Sequence, residues 1–159
     1  MVFNQELLCW GLRFGATFTA VMGFGHCVYI SVVEVAARRR LKTGEAMVDH
    51  FQATFPLAKV YSQALGTFPT LMSVAHYFLN PGHPSSNLLL AAGLFILSIG
   101  PFTVFFILPT NNQLLDGDNP KKKPQSWIES KMNDWARLHS VRTLIFGFDS
   151  LAFMYALTK

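Results

Sequence analysis

The sequence predicts an all-α fold: an integral membrane four-helix bundle, with a short amphipathic helix before the fourth span, in one domain over residues 1–159. Three observations predict it. Hydrophobic residues make up 51% of the chain and charged residues only 14%, whereas roughly a quarter of the residues in a soluble domain are charged. Four apolar stretches are long enough to cross a bilayer. Lys and Arg are concentrated in two of the three segments between them.

Prolines and length define the four predicted spans. Pro56 suits the first turn of the second span, whereas Pro69 and Pro101 lie inside the second and third spans and are expected to kink them. The apolar core of the fourth span, from Leu144 to Leu157, is too short to cross a membrane alone. Its helix must therefore begin earlier, which brings the preceding polar residues to the membrane boundary. The spans cover residues 12–35, 55–79, 88–108 and 135–157.

Basic residues predict the orientation of the bundle. The segments 36–54 and 109–134 carry the runs Arg38–Arg40 and Lys121–Lys123, whereas Asn80–Asn87 carries neither Lys nor Arg. The positive-inside rule places both basic segments in the cytoplasm and both termini on the opposite side. The two basic runs are interpreted as topology signals and lipid contacts.

The segment before the fourth span is expected to contain helix of its own. Ser126 is followed three residues later by Glu129, which is a capping-box pattern and predicts that a helix begins there. That helix either lies along the membrane interface or runs on into the fourth span.

Polar residues from all four spans converge on the cytoplasmic end of the predicted bundle. An ionisable residue in a span is costly to bury and marks a functional site by default. Trp135, His139 and Arg142 are spaced so that they share one helix face, and Phe146 continues that face. We therefore expect a pocket at this end, reached from the cytoplasm. The other polar residues that approach it are His26, Glu34, Lys59, Asn111 and Asn112.

Ordinary membrane roles also explain these residues one at a time. Arg142 can reach lipid headgroups, and Trp135 can anchor its helix at the interface. The two asparagines can cap the third helix, and the histidines can form hydrogen bonds between helices. Asp149, deep in the fourth span, is expected to pair with Arg13 or with a hydroxyl from another helix.

Three motifs resemble those of a known family. They are Pro101-Phe102-Thr103, then Pro109-Thr110-Asn111-Asn112-x-Leu114, then Trp135-x3-His139-x2-Arg142-Thr143. Together with the length and span layout of the whole chain, they resemble the anthrone oxygenase-like family of small four-span membrane proteins. Fungal members of that family act in aromatic polyketide pathways. The resemblance implies an O2-dependent enzyme that oxidises an anthrone to an anthraquinone.

The resemblance suggests roles for the residues of the expected pocket. Arg142 would stabilise the developing oxyanion, and His139 would hydrogen-bond to it or shuttle protons. The residues expected to stack on the rings or orient the oxygens of the substrate are Trp135, Phe146, Asn111 and Asn112. Topology alone, and not the motifs, suggests His26 or Glu34 as the base and adds Lys59 to the substrate-binding residues.

The implied partners are a small aromatic substrate, an anthrone, and the lipid bilayer of the endoplasmic reticulum or another endomembrane. Nucleic acid is not expected as a partner, and a homo-oligomer stays open. No cofactor is predicted beyond O2, because an electron-rich anthrolate can pass an electron to O2 without a metal.

Two other kinds of function stay open from the sequence. A metal-dependent membrane oxidase would use His26, His139 and His76 as ligands, although no two of them have the spacing of neighbours on one helix face. A non-enzymatic scaffold, or a quinone- or lipid-binding protein, would explain the basic segments but not the convergence of polar residues on one end.

Overall fold

Four long helices form the fold. The computed structural model of the protein describes residues 4–159. We number the helices α1 (Gln5–Arg39), α2 (Gly44–Leu79), α3 (Ser86–Leu115) and α4 (Gln125–Leu157). A single turn of 3-10 helix at Pro120–Lys122 lies between α3 and α4, and the described residues contain no strand. The all-α prediction is confirmed.

Three of the four helices are long and apolar enough to cross a membrane: α1, α3 and α4. Helix α2 is the longest, with 36 residues, but its apolar residues are interrupted by polar ones such as Lys59, Gln63 and Thr67. Helix α2 packs against both α1 and α3, which are apolar enough to cross a membrane. Its own composition is less apolar, so a crossing by all four helices stays a prediction.

The helices extend well beyond the predicted spans. Helix α2 begins at Gly44, where the Thr43 side chain accepts a hydrogen bond from the backbone N–H of Ala46 at 3.2 Å. Pro56 therefore lies inside α2, and its prediction as a first-turn residue is wrong. Helix α3 continues to Leu115, so the two basic segments are largely helical instead of loops.

The predicted amphipathic helix is not a separate element. Residues 125–157 form one continuous helix, so the residues before the fourth span are the first turns of α4. The prediction that a helix begins near Ser126 and runs on into the fourth span is thus confirmed, whereas the interfacial alternative is wrong. The capping box is also wrong, because Pro124 precedes the helix and no side chain among the described residues caps its first turn. Instead, Gln125 donates a hydrogen bond to Glu129 at 2.8 Å, one turn further on.

The connection between α3 and α4 is held against α2. Gln52 donates hydrogen bonds from its side-chain amide to the backbone oxygens of Leu114, at 3.0 Å, and Gly117, at 2.8 Å. Lys121 lies 2.8 Å from a carboxylate oxygen of Asp49 and 3.1 Å from one of Asp118. These contacts, with that to Asp49 the stronger, raise the pKa of Lys121. This lysine is thus engaged within the protein.

Irregular turns interrupt the two helices that flank α2. In α1, residues Ile30–Glu34 form a π-helical segment. In α3, a turn at Ser98 and a π-helical segment at Thr103–Ile107 lie on either side of Pro101. Prolines and π-helical segments are the usual causes of irregular geometry in long helices. The two π-helical segments lie in the half of the bundle that carries the basic residues, called here the basic half, and its outer end is called the basic end.

Hydroxyl groups join the helices by donating to backbone oxygens of their neighbours. Thr17 on α1 donates to Phe153 on α4 at 3.3 Å, and Ser150 on α4 donates back to Ala20 on α1 at 3.0 Å. A polar group in an apolar bundle must find such a partner, because no water is available.

The end opposite the basic end holds a polar contact that the sequence did not predict. Arg13 donates a hydrogen bond from Nη1 to Nε2 of His83 at 2.9 Å. Burial, and to a lesser degree the Arg13 charge, lowers the pKa of His83, which favours the neutral ring that can accept this bond. The expected pairing of Asp149 is therefore wrong: Arg13 is engaged elsewhere, and neither carboxyl oxygen of Asp149 has a partner in the described residues.

The close approach of α1 to α4 requires a glycine at position 23. A Cβ atom there would lie 2.5 Å from the buried ring of Phe146, whereas a Cβ at Gly25 would have nothing within 4 Å. We predict that Gly23→Ala lowers the free energy of unfolding by about 1–3 kcal/mol, because the packed ring must move. Gly25→Ala is the matched control and should cause no loss. Thermal unfolding in detergent measures both, and equal stabilities would contradict this packing.

Candidate functional site

A cavity of about 660 Å³ lies between the four helices in the basic half of the bundle. Its volume is in the range of roughly 300–1,000 Å³ that is usual for sites that bind small organic molecules. Every residue that the sequence singled out as a site residue lines it: His26, Glu34, Lys59, Asn111, Asn112, Trp135, His139, Arg142 and Phe146. The structure brings the nine together, while their roles stay predictions.

Trp135 is the centre of the buried wall of the cavity. Its ring stacks on the ring of His139, with centroids 5.0 Å apart and an angle of 3° between the planes. The ring planes of Phe51 and Trp135 are nearly perpendicular, with an angle of 83° between them. The indole N–H donates a buried hydrogen bond of 2.9 Å to the side-chain oxygen of Asn111. Helices α2, α3 and α4 are thereby joined around one aromatic side chain.

Arg38 is part of the same wall. Its guanidinium carbon lies 5.0 Å from the ring centroid of Phe51 and 5.2 Å from that of Trp135, which are cation–π distances. The side chain is only 5% exposed, and its Nε has no hydrogen-bond partner in the described residues. The sequence interpreted Arg38 only as part of a basic run that signals topology, and for this residue that interpretation is incomplete.

His139 and Arg142 leave polar atoms unpartnered in the cavity wall. Nε2 of His139 lies 3.4 Å from the backbone oxygen of Cys27. Because a carbonyl only accepts, this contact requires the proton on Nε2, and the Nδ1 lone pair then has no partner in the described residues. Nε of Arg142 is likewise buried and unpartnered there. Neither Arg38 nor Arg142 forms an ion pair within the part of the chain that the structure describes.

His26 contributes a third nitrogen-bearing side chain to the cavity. Its Nε2 lies 3.1 Å from the hydroxyl oxygen of Ser62 on α2, and its ring lies 6.4 Å from that of Tyr61. Tyr61 and Ser62 also line the cavity. The contact with Ser62 holds the imidazole at the boundary between α1 and α2, in a position to face a bound molecule.

Glu34 reaches the cavity from the π-helical segment of α1. One of its carboxylate oxygens accepts a hydrogen bond from the Tyr29 hydroxyl at 3.2 Å, and the other lies 3.7 Å from Nε2 of His50 on α2. His50 is half-buried and does not line the cavity. The pair therefore connects the cavity to the surface at the basic end. A π-helical segment shifts the side chains that follow it, and such segments are frequent at functional sites.

Lys59 and Asn112 are exposed at the rim of the cavity, whereas Asn111 is buried behind it. The two asparagines thus have different surroundings: the Asn111 side chain accepts a hydrogen bond from Trp135, and that of Asn112 forms none with the described residues. Both lie inside α3, which ends at Leu115, so the suggestion that they cap this helix is wrong.

Sequence reasoning missed Arg38, Phe51 and His50. Arg38 follows Glu34 by four residues, which places the two on one helix face and was a usable signal. No comparable signal marked the other two, because the predicted second span began after them. Their neighbours on other helices, and not their own spacing, bring them to the site.

Comparison with known protein families decides where the chain belongs. The family model described as Anthrone oxygenase matches residues 51–151, which is more than half of the chain. The chain belongs to the anthrone oxygenase family. The match includes the asparagine pair of α3 and the Trp135, His139 and Arg142 motif of α4. No curated protein and no solved structure matches the chain.

The anthrone oxygenase match covers three of the four walls of the cavity. Helix α1 lies outside the matched residues, and it supplies His26, Glu34 and Arg38 to the cavity. The motifs of the family thus account for the α3 and α4 sides, while the acidic group and one of the two arginines come from α1.

The metal-dependent alternative has limited support from the arrangement of ligands. His26 and His139 line the cavity, but His76 does not; its ring packs against His83, near the opposite end. Among residues 4–159, no three His, Cys, Asp or Glu side chains are grouped so that they could hold a metal ion. The residues proposed for that alternative are therefore not assembled.

The Trp135–Asn111 hydrogen bond can be tested by stability. Trp135→Phe removes the donor and leaves a buried amide oxygen unsatisfied, which should lower the free energy of unfolding by about 1–3 kcal/mol. Adding Asn111→Leu should recover part of that loss, because both polar partners are then gone. Trp127→Phe, at an indole with no hydrogen bond in the described residues, is the control. If Trp135→Phe and Trp127→Phe lower the free energy of unfolding equally, the hydrogen bond does not stabilise the fold.

Proposed function

We propose that this protein is a membrane-bound anthrone oxidase, which converts an anthrone to an anthraquinone with O2 in aromatic polyketide biosynthesis. One observation carries the proposal beyond family membership. Two arginines that form no ion pair within residues 4–159, Arg38 and Arg142, line an aromatic cavity together with the stacked rings of Trp135 and His139. A buried cation without a counterion is unfavourable unless a ligand supplies the negative charge. A flat aromatic anion fits both the charge and the shape.

The reaction explains why the ligand would be anionic. The anthrone methylene is acidic, because removing one of its protons gives an aromatic anthrolate. The anthrolate reduces O2 and binds it at the former methylene carbon, giving a hydroperoxide after it takes up a proton. Loss of the second C–H proton and cleavage of the O–O bond then give the ketone and water. One oxygen atom ends in the quinone and the other in water, so atoms and electrons balance without another oxidant.

The cationic groups would act on the oxygen of the substrate. When the methylene loses its proton, negative charge moves to the carbonyl oxygen of the ring system. Arg142 would hold that oxyanion, and the buried Arg38, which lies against Trp135, would add a second positive charge to the cavity. His139, whose Nδ1 lone pair has no partner in the described residues, would accept a hydrogen bond from a substrate hydroxyl, or take up the methylene proton from the base at Nδ1 and pass it to the peroxide anion. Trp135 and Phe146 would stack on the rings, with Asn111 and Asn112 orienting their oxygens.

The base is proposed to be His26 or Glu34, as the two acceptor-bearing side chains that α1 contributes to the cavity. Glu34 has a route for the proton that the sequence did not reveal, because His50 lies 3.7 Å from its free oxygen on the side away from the cavity. Lys59, exposed at the rim, would attract the phenolic oxygens of the substrate. No cofactor is required beyond O2 in this scheme.

We further propose the cellular setting that the sequence predicts. The basic end would face the cytoplasm, with the termini on the opposite side of the endoplasmic reticulum or another endomembrane. The excess of Arg and Lys at one end of the bundle supports this orientation.

Arg142→Ala should lower the rate of anthrone oxidation by about 10²–10³-fold, because one oxyanion partner is lost. Arg142→Lys should retain part of the rate, since a point charge remains but the planar guanidinium does not. Oxygen uptake and quinone absorbance in membranes supplied with emodin anthrone measure the rate. Arg137→Gln, at an exposed arginine of the same helix, is the control. Full activity of Arg142→Ala would refute the role of this residue.

A comparison of His26→Gln with Glu34→Gln identifies the base. Loss of the general base should lower the rate by about 10²–10⁴-fold, whereas loss of a residue that only orients the substrate should cost less. If Glu34 is the base, His50→Gln should slow turnover and added imidazole should restore part of it. Equal, near-normal rates in all three variants would show that the base lies elsewhere in the cavity.

A further inference from the structure

Helices α2 and α3 are joined at two points with an opening between them. In the half of the bundle away from the basic end, Thr70 donates a hydrogen bond to the backbone oxygen of Gly93 at 2.7 Å. At the basic end, Gln52 donates to the backbone oxygen of Leu114 at 3.0 Å. Between these two points, the π-helical segment Thr103–Ile107 of α3 contacts α4 and makes few contacts with α2.

The two helices have unequal lengths between the joining points. Gln52 and Thr70 are 18 residues apart on α2, whereas Gly93 and Leu114 are 21 residues apart on α3. At 1.5 Å per residue these segments would measure about 27 and 32 Å as straight helices. The segment of α3 therefore holds more residues than the segment of α2 that it faces, and the turn at Ser98 and the π-helical segment at Thr103–Ile107 lie within it.

The residues on both edges of the opening line the cavity and are exposed. On the α2 edge these are Lys59, Gln63 and Thr67, and on the α3 edge they are Leu97, Gly100 and Val104. The far wall, with Phe146 and His139 of α4, is buried. The cavity thus opens sideways, between two helices, and not only toward the basic end.

The α3 edge lies in the apolar part of a helix that is apolar enough to cross a membrane. Leu97 and Val104 are about half exposed there, at 49% and 55%. An opening at this level faces lipid chains, because the hydrocarbon core spans about 30 Å and α3 is apolar on either side of Gly100. With an apolar α3 edge and the polar side chains of Lys59, Gln63 and Thr67 on the α2 edge, the opening suits a lipophilic aromatic molecule that carries a few oxygens.

We propose that the opening between α2 and α3 is the entrance through which a lipophilic aromatic substrate passes from the bilayer into the cavity. This inference rests on the proposed function for the identity of the substrate, but the opening itself can be tested without turnover. It differs from the entry that the sequence suggested, which was from the cytoplasm.

Two glycines provide a matched pair for the test. A Cβ at Gly100 or at Gly25 would meet no described atom within 4 Å, and both positions are exposed. Gly100 is on the edge of the opening, whereas Gly25 does not line the cavity. Gly100→Phe should narrow the entrance, and Gly25→Phe should not. Melting temperatures of both variants equal to that of the unsubstituted protein would show that neither substitution disturbs the fold.

The first readout is the kinetics of emodin binding, because emodin is an anthraquinone and is not turned over. In a Trp10→Phe, Trp127→Phe background, quenching of Trp135 reports emodin in the cavity of protein reconstituted in phosphatidylcholine vesicles. Gly100→Phe should slow association and dissociation by the same factor, about tenfold, and leave Kd unchanged. A blocked entrance changes both rates alike, whereas a damaged site changes Kd. Unchanged rates in Gly100→Phe would overturn the proposal.

The second readout separates this proposal from the proposed function. Phosphatidylcholine with brominated acyl chains quenches tryptophans that lipid can reach. In the Trp10→Phe, Trp127→Phe background, brominated lipid should quench Trp135, and Gly100→Phe should reduce that quenching. A Trp127→Phe, Trp135→Phe variant retains only Trp10, which is 52% exposed and should be quenched more strongly than Trp135. If emodin does not bind but brominated lipid quenches Trp135, the proposed function fails and the opening stands. If brominated lipid leaves Trp135 unquenched, the opening to lipid is refuted.

Discussion

The need to satisfy polar groups inside an apolar bundle governs this structure. Where α1 meets α4, Thr17 and Ser150 donate to backbone oxygens of the opposite helix, and Thr70 does the same between α2 and α3. These bonds, together with glycines at the contacts, hold the helices close. Among the described residues, buried side-chain atoms lack hydrogen-bond partners in both halves: those of His76 and Asp149 in one, and those of Glu34, Arg38, His50, His139 and Arg142 in the basic half. Arg38, His139, Arg142 and Glu34 line the cavity, but the Glu34 oxygen lies 3.7 Å from His50, which does not line it. The groups left open around the cavity are thus nitrogen-bearing side chains, which suit an anionic ligand.

Irregular backbone is what creates room for that site. The π-helical segments of α1 and α3 both border the cavity, the first through Glu34 and the second through Thr103. Between its two contacts with α2, α3 has more residues than the segment that it faces, and its turn at Ser98 and its π-helical segment lie in that stretch. The same irregular stretch borders both the cavity and its side opening. Binding and access therefore have one structural origin in this fold.

Particular residues show how far sequence reasoning reached. The spacing of Trp135 and His139 predicted a shared helix face, and their rings are indeed stacked, because neighbours on a helix are defined by local geometry. Arg38 was interpreted from its basic neighbours and is instead buried against aromatic rings from two other helices. Asp149 was expected to find a partner and has none in the described residues. The start of α2 was placed at residue 55, since the polar turns that precede it carry no hydropathy signal.

By itself, the sequence determined the all-α class, the approximate positions of the helices and the set of polar residues at one end, because each depends on composition or on local spacing. Family membership also follows from the order of residues along the chain. Only the tertiary structure decided that Arg38 joins the cavity, that His50 lies beside Glu34, and that α2 and α3 part over Gly100. Those features depend on distances between helices that are far apart in sequence. Such distances are set by packing and by the unequal lengths of the segments that face each other.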